Sequence, residues 1–322
     1  MRSLVVIFLH EPADTAAYML EYLTARKIDF ATFRCWEKGV VQTIPNSLDE
    51  LVHCVPVEGK PHHFIPVSST SIVSSEDGRE GKPTSYLALS GVESFRIRGV
   101  ASFGGSMSVN DQLPYFDSIR SLMRSCIVTR TPVIGHCLGG QLLSSALGGR
   151  VKPSENCEIG WWDIKVEEAE EAKDWFGGRK FINVFLIHTE SFTIPSGARR
   201  IATGTHCTNQ AFQVGDQFAI GMQFHPEVDE RKVRALTAPK FPFLYTEEEV
   251  AAIRKEEDAD EKENGSRACG EVFGTNRRIS ARMSPAAMTR DAIDKCLSEG
   301  RIELNRPIAD SIYDTWCSGF LC

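Results

Sequence analysis

The sequence predicts an α/β protein with a mostly parallel central sheet and helices on both faces of that sheet. Two observations predict this class: apolar strand-like runs alternate with amphipathic helical patterns, and polar motifs follow the ends of several strands. With 322 residues, the chain is long enough for one large α/β domain with additional segments.

The amino-terminal part contains the first predicted strands. Residues 4–9 form an uninterrupted apolar run, which is typical of a buried parallel strand. Asp14 precedes an apolar-periodic segment, so we expect it to cap the first helix. Residues 30–33 and 100–103 are predicted as strands, and residues 115–127 as a long helix with one apolar face.

The later part of the chain predicts shorter strands. Val133 and Ile134 form a strand that leads into a helix, and Gly148 with Gly149 ends this helix. Further strands are predicted at residues 161–166, 181–187, 200–203, 210–214 and 218–224. Because open α/β sheets bind ligands at the carboxyl ends of their strands, we expect the polar groups there to form the site.

We divide the chain into a domain at residues 1–236 and an extension at residues 237–322. Within the domain, residues 38–97 are predicted to be a surface insertion that is too polar to pack, with a Ser-rich stretch at 68–75 and a polar run at 76–83. The adjacent pair His62-His63 lies in this insertion without a partner at ligand spacing, so we expect it to be solvated.

The extension is predicted to be a linker followed by a helical segment. A charged run at residues 254–264 is typical of a linker or a solvated helix. Ile308, Ile312 and Trp316 are spaced four residues apart, which predicts a helix that docks on an apolar surface. We expect that surface to be on its own domain, with a partner surface as the alternative.

Composition and charge argue against several classes of protein. The net charge of −7 and the lack of a dense basic run argue against nucleic-acid binding. Ten cysteines without a Cys-x-x-Cys pair do not resemble a disulfide scaffold. The run at residues 4–9 is too short for a membrane span and no signal-peptide cleavage site follows it. We therefore expect a cytoplasmic protein that binds neither nucleic acid nor membrane.

Cys137 is the first candidate catalytic residue. It lies in the run Gly135-His136-Cys137-Leu138-Gly139, between a predicted strand and a predicted helix. Such a sharp turn, flanked by glycines, is where hydrolases place a nucleophile, and the helix N-terminus favours a thiolate. The alternative is a small buried hydrophobic residue, which is the usual role of a free cysteine.

A second polar constellation makes the catalytic interpretation stronger. His225, Pro226 and Glu227 follow the apolar strand at residues 218–224. A histidine at the end of a strand can take a proton from a thiol while a carboxylate holds its other ring nitrogen. Taken alone, His225 would more often be part of a surface turn. A cysteine elbow and a later His-Pro-Glu motif in this order favour a catalytic site.

These motifs resemble those of the class I glutamine amidotransferases, of the stand-alone kind similar to the amidotransferase half of GMP synthase. The resemblance covers residues 1 to about 236 and implies a flavodoxin-like α/β fold. The residues that carry it are in the segments 102–111, 135–139, 158–161, 186–192 and 223–227.

The resemblance implies roles for individual residues. Cys137 would be the nucleophile, His225 the general base and acid, and Glu227 the group that orients His225. The backbone N–H groups of Gly105 and Leu138 would form the oxyanion hole. Residues implied to bind the substrate are Gly104, Gln141, His188 and Glu190. Ser106 stands where the family often has proline, and Glu190 where it usually has aspartate, which weakens the substrate assignment more than the chemistry.

The implied reaction is hydrolysis of the side-chain amide of glutamine, or of a γ-glutamyl amide, through a thioester on the cysteine. This scheme needs neither a metal nor a cofactor. One alternative is a γ-glutamyl peptidase or hydrolase that acts on small γ-glutamyl conjugates. Another is a regulatory or binding protein that keeps the fold without turnover. The sequence has no nucleotide-binding loop, so an ammonia-accepting synthase would be a separate partner protein.

Three other polar residues are expected to have no catalytic role. Glu158 matches a position of the family, but a charged residue before a glycine usually faces solvent. Cys157 and Cys207 have no base near them in the sequence, so we expect both thiols to be inert.

Overall fold

A computed structural model describes residues 2–67, 91–216, 218–238 and 284–320 of the chain. The Ser-rich stretch, the polar run and the charged run at residues 254–264 lie outside the described residues. In the described part, no helix is long and apolar enough to cross a membrane.

Eleven strands of the described residues form a single sheet. In chain order they are β1 (Ser3–Leu9), β2 (Phe30–Arg34), β3 (Val52–Pro56), β4 (His63–Pro66), β5 (Glu93–Ser102), β6 (Val133–His136), β7 (Val151–Val166), β8 (Phe181–Phe192), β9 (Ala198–Thr203), β10 (Ala211–Val214) and β11 (Ala219–Met222).

Seven α-helices are present in the described residues. They are α1 (Tyr18–Ala25), α2 (Pro114–Thr129), α3 (Leu138–Ala146), α4 (Glu170–Phe176), α5 (Glu230–Leu236), α6 (Arg290–Ser298) and α7 (Arg301–Ser318). A short 3₁₀ helix also lies at Val41–Thr43.

The centre of the sheet is parallel and its outer parts are antiparallel. Strands β2, β1, β5, β6 and β11 lie side by side in that order, and each neighbouring pair is parallel. Beyond β11, the strands β10, β9, β7 and β8 follow with antiparallel pairing. The predicted α/β class is thus confirmed, as a mixed sheet whose parallel part is central.

Helices cover both faces of this sheet. Alternate residues of β1 belong to two separate core clusters, since side chains of a strand point alternately to opposite faces. Val5 and Ile7 pack in the cluster that contains α1, α4 and α7. Val6 and Phe8 pack in the cluster that contains α2 and α3. Both faces of the central strands are therefore buried.

The segment predicted to be a polar insertion contributes strands to the sheet. Strands β3 and β4 pair with each other, β4 pairs with the first residues of β2, and β3 pairs with the first residues of β5. Cys54 and Phe64 are buried there. The prediction that residues 38–97 are too polar to pack is therefore wrong for the two segments 52–66 and 93–97.

The histidine pair of this segment also has partners. Nδ1 of His62 lies 2.8 Å from Asp29 Oδ1, and Nε2 of His63 lies 2.8 Å from the Thr32 hydroxyl. His63 is buried, and its ring stacks on Phe30. The expectation that this pair is solvated is wrong for His63, because its neighbours in β2 cover it.

The predicted docking helix near the carboxyl end is confirmed. Helix α7 buries Ile308, Ile312 and Trp316 in the same core cluster as the strands of the domain. Its neighbour α6 packs with α5 and the middle of β7 in a third cluster. The described part of the predicted extension, residues 284–320, is thus packed into the domain core.

The predicted cap of the first helix is wrong. Helix α1 begins at Tyr18, and the residue at its cap position is Ala17, which makes no capping hydrogen bond. Asp14 lies three residues earlier and its carboxylate pairs with Lys232 instead. Asp14 is close to the helix start in the sequence, but its ion-pair partner is a lysine that is remote in the sequence.

Helix α6 has a side-chain cap that can be tested directly. The Thr289 hydroxyl accepts a hydrogen bond from the Ala292 backbone N–H at 3.2 Å. We expect Thr289→Ala to lower the free energy of unfolding by about 1 kcal/mol, because an N–H at the helix N-terminus loses its partner. Urea denaturation measures this loss. Thr289→Ser keeps the hydroxyl and is the matched control; equal stability of the alanine and serine variants would contradict the prediction.

Candidate active site

Cys137 lies at the turn between β6 and α3. Its backbone has φ 49° and ψ −111°, a conformation that L-residues rarely adopt and that is typical of functional turns. The Cys137 backbone N–H donates to the Met222 carbonyl at 2.8 Å, which ties the turn to the end of β11. The thiol is thus attached at the N-terminus of a helix, where the partial positive charge favours an anion.

Two positions that flank Cys137 require glycine for steric reasons. A β-carbon on Gly139 would lie 2.0 Å from the Ser102 carbonyl oxygen at the end of β5. On Gly135 it would lie 2.5 Å from the backbone of Gly139. Only glycines let α3 start this close to the strand ends. Since both obstacles are backbone atoms, side-chain rearrangement cannot relieve them.

His225 and Glu227 form a buried hydrogen-bonded pair behind the elbow. Nδ1 of His225 lies 2.8 Å from Glu227 Oε1, and neither residue is exposed to solvent. Nε2 of His225 makes no hydrogen bond of ordinary geometry with the described residues. The imidazole is therefore held by the carboxylate at its Nδ1 atom.

The electrostatics of this pair favour a protonated imidazole and an ionised carboxylate. Burial lowers the pKa of His225, but the charges of Glu227 and Asp14 and the neighbouring Cys137 thiol raise it, to about 10. Burial raises the pKa of Glu227, but the charges of Lys232 and His225 hold it well below its usual range. Because β6 and β11 are neighbouring strands, Cys137 and His225 follow adjacent strand ends.

The turn after β5 approaches both of these groups. A β-carbon on Gly104 would lie 2.0 Å from Asp14 Oδ2 and 2.9 Å from His225 Cε1. On Gly105 it would lie 3.1 Å from Leu138 Cδ2. The two residues predicted to form the oxyanion hole, Gly105 and Leu138, are thus adjacent. Gly104 lies against His225, and its predicted contact with the substrate stays a prediction.

One cavity opens onto the elbow. Of the predicted site residues, those that line it are Gly105, Cys137, Gln141, His188 and Glu190. Ile159, Ile187 and Leu236 form an apolar part of its wall. A small molecule in this cavity would thus meet the sulfur, the Gly105 turn and several buried polar groups.

Glu158 is buried, so the expectation that it faces solvent is wrong. Its Oε2 lies 2.8 Å from Nε2 of His188 and accepts a hydrogen bond from Nε2 of Gln210 at 2.6 Å. Nδ1 of His188 faces the Glu190 carbonyl at 3.1 Å. Both ring nitrogens of His188 thus lie within hydrogen-bond distance of an oxygen atom. Glu158 and His188 are register partners in β7 and β8, which explains their contact.

A chain of polar contacts connects this pair with the thiol. The Gln141 side-chain amide donates to the Glu190 carbonyl at 3.0 Å and to Gln223 Oε1 at 3.4 Å. The amide of Gln223 in turn donates to the Cys137 sulfur at 3.7 Å. The position of the sulfur is thus coupled to the residues that line the cavity. Gln223 precedes the His-Pro-Glu motif, but the sequence did not indicate that it would face the thiol.

Further buried groups surround Glu227 that sequence reasoning did not identify. Lys232 Nζ lies 2.5 Å from Glu227 Oε1 and also pairs with Asp14. Nε2 of His136 lies 3.9 Å from Glu227 Oε2 and 3.4 Å from the Tyr313 hydroxyl. The position of His136 next to Cys137 and of Lys232 on the helix after Glu227 were the available signals. Tyr313 lies far along the chain and gave none.

Two groups of side chains in the described residues have the donor atoms for a metal ion. One is Glu158, His188 and Cys207, and the other is Asp14, His225 and Glu227. In the first group the histidine and the carboxylate are hydrogen-bonded to each other. In the second group Lys232 supplies the positive charge between the two carboxylates.

Comparison with known proteins identifies relatives of this chain. Residues 91–238 match the family model for glutamine amidotransferase class-I. Over 150 residues, 46% of this chain, the sequence is 33% identical to a glutamine-hydrolysing GMP synthase of Lacticaseibacillus casei. The chain spans 28% of the length of that relative.

Two solved structures resemble the fold along nearly the whole chain. A glutamine amidotransferase from Methylobacillus flagellatus aligns with a TM-score of 0.65 and 25% identity, covering 99% of this chain and 95% of that one. A glutamine amidotransferase from Thermotoga maritima aligns with a TM-score of 0.56 and 17% identity, covering 98% of each chain. The second likeness concerns the fold alone.

Proposed function

We propose that this chain, which contains a class I glutamine amidotransferase domain, hydrolyses the side-chain amide of glutamine or of a related γ-glutamyl compound through a thioester on Cys137. The observation that carries the proposal is the arrangement of the elbow: a cysteine with strained backbone at a helix N-terminus opens into a cavity, with the buried pair His225 and Glu227 behind it. This is the arrangement of a cysteine nucleophile with its base and the group that orients the base.

The proposed first step is attack of the thiolate on the carboxamide carbon. The carbon–sulfur bond forms while the carbonyl oxygen becomes an oxyanion, which the backbone N–H groups of Gly105 and Leu138 would stabilise. The protonated His225 then gives its proton to the leaving nitrogen, because an amine leaves only after it has taken up a proton. Ammonia, or an amine, departs and a γ-glutamyl thioester remains on Cys137.

The proposed second step regenerates the enzyme. Neutral His225 removes a proton from a water molecule, which attacks the thioester carbonyl, and the carbon–sulfur bond breaks to release glutamate. Glu227 remains ionised throughout and stabilises the imidazolium in each step. The roles of Gln141, His188 and Glu190 are to shape the cavity that receives the substrate. We further propose that a synthase uses the ammonia, because the matched relatives include glutamine-hydrolysing GMP synthases.

A screen of γ-glutamyl compounds tests this proposal. We expect the purified protein to release glutamate from glutamine or from a γ-glutamyl dipeptide, and rapid acid quenching to leave a γ-glutamyl group on the peptide that contains Cys137. Burial raises the pKa of the thiols of Cys54 and Cys317 to about 12 and that of Cys207 to about 11, so these do not compete at neutral pH.

The result also separates the alternative functions. Preference for glutamine would support the amidotransferase, and preference for a γ-glutamyl peptide would select the peptidase or hydrolase. No turnover and no adduct with any γ-glutamyl compound would overturn the proposal and favour a regulatory protein on the same fold.

A further inference from the structure

Lys232 is a charged residue in the interior of the protein. It lies on α5, and its side chain has no exposed surface. Lysine is almost never fully buried unless it is paired, because transfer of an ammonium group from water costs much free energy. A lysine in this position therefore needs specific partners that offset the loss of hydration.

The partners of Lys232 come from two segments that are remote from each other in the chain. Its Nζ lies 2.5 Å from Glu227 Oε1 and donates to the Thr15 carbonyl at 2.6 Å. It also forms an ion pair with the carboxylate of Asp14. Residues 14 and 15 belong to the loop between β1 and α1, whereas Glu227 follows β11. A single ammonium group thus connects the first loop of the fold with the carboxylate that holds His225.

We propose that Lys232 is a positioning residue that keeps Asp14 and Glu227 together as two ionised carboxylates, so that Glu227 can orient His225 and stabilise its imidazolium form. The proposal rests on the proposed function of Cys137, His225 and Glu227. Lys232 does not line the cavity described above, and it acts through Glu227.

The charges around Glu227 explain why a cation is needed there. The titratable groups that face this carboxylate are His225, Lys232, Asp14, His136 and Tyr313. Burial lowers the pKa of His136 to about 4, and raises that of Tyr313 well above its usual value, so both are uncharged at neutral pH. Lys232 and the imidazolium of His225 are thus the cations available to two buried carboxylates.

Removal of the lysine would leave these carboxylates with too little positive charge. Two buried carboxylates close together cannot both stay ionised, so one of them takes up a proton at a higher pH than before. If Glu227 becomes protonated, it no longer stabilises the positive charge on His225. The pKa of His225 would then fall, although the substitution of Lys232 does not change a residue that lines the cavity.

The test is Lys232→Met, which keeps most of the length of the side chain and removes its charge. We expect kcat/KM for glutamate release to fall by about 10²-fold, the lower end of what general acid–base catalysis contributes. The acidic limb of the pH profile of kcat/KM should move to higher pH, because Glu227 is protonated more easily. Lys173→Met on α4 is the matched control, since that lysine is half-exposed and pairs with Glu170 on the surface; it should leave both readouts unchanged.

A charge-balanced double variant separates the electrostatic role from a merely structural one. Asp14→Asn with Lys232→Met removes one carboxylate together with the ammonium, so Glu227 is left without the anionic neighbour that would favour its protonation. We expect this variant to regain about 10-fold of the lost rate and to return the acidic limb toward the wild-type pH. If Lys232→Met alone does not fold, the double variant still tests the proposal. The proposal then requires the double variant to be folded, active and similar to wild type in its pH profile.

Two outcomes would overturn the proposal. One is a wild-type rate and pH profile of Lys232→Met, and the other is a folded double variant whose rate of glutamate release does not recover. Alkylation of Cys137 by iodoacetamide, followed by peptide mapping across pH, needs no turnover. If the wild-type protein hydrolyses no γ-glutamyl compound, the proposed function fails. The lysine proposal then stands or falls on whether Lys232→Met slows this alkylation by about 10-fold relative to wild type and Lys173→Met.

Discussion

Replacement of Cys137 by alanine is expected to abolish the release of glutamate, with a fall in rate of at least about 10⁴-fold. The thiol is the atom that forms the covalent intermediate, so neither the histidine nor the oxyanion hole can substitute for it. The members of such a catalytic group act as a unit, and loss of one member removes nearly the whole effect. A coupled assay of glutamate release at saturating substrate measures this fall in rate directly.

Cys317→Ala is the matched control for this variant. Cys317 lies on α7, is partly exposed, and packs at the edge of the core away from the cavity. We expect the control to retain wild-type activity. If Cys137→Ala is folded, as judged by circular dichroism, and still keeps more than a few per cent of the activity, then another residue is the nucleophile and the proposed mechanism is wrong.

Replacement of Trp316 by alanine is expected to lower the free energy of unfolding by about 3–5 kcal/mol, because truncation of a buried tryptophan leaves a cavity in the core. Trp316 has no exposed surface. Its ring packs against Phe320, and a β-carbon on Gly99 of β5 would lie 3.4 Å from it. Helix α7 therefore covers the central strands, and its largest side chain fills the space between them and the helix.

Urea denaturation of the Trp316 variant measures this loss. Leu304→Ala on the same helix is the control, since Leu304 is largely exposed and should change stability by less than about 0.5 kcal/mol. Equal stability of wild type and Trp316→Ala would mean that α7 does not contribute to the core in solution. The result thus tests whether residues 284–320 belong to the folded domain.

The fold class could be predicted because its signals are local. Residues 4–9 and 133–134 are apolar on both faces, as central parallel strands must be, and both runs lie in strands of the sheet. The spacing of Ile308, Ile312 and Trp316 predicted the docking helix for the same reason. In residues 38–97, short apolar runs that form β3 and β4 were outweighed by the polar stretches around them, so their pairing was missed.

The candidate site was predicted only in part, since much of it depends on contacts between remote segments. The elbow and the His-Pro-Glu motif are each a single run of consecutive residues, so their residues could be identified from the sequence. Asp14 and Lys232 are separated by more than two hundred residues, and neither belongs to a recognisable motif. Glu158 was expected to face solvent because nothing in the sequence shows that β8 places His188 opposite it.

The pairing of Glu227 with Lys232, which also binds Asp14, has a consequence for protein design. Transplanting the glycine-flanked cysteine and the His-Pro-Glu run onto a foreign scaffold would reproduce the reacting atoms but not the counter-charges behind them. In such a hybrid, the acid would lack the ammonium group that binds it in this fold, so the motifs alone would not fix its position beside the imidazole. A designer who wants this hydrolase chemistry elsewhere must carry over the first loop of the fold and the short helix after the acid together with the motifs.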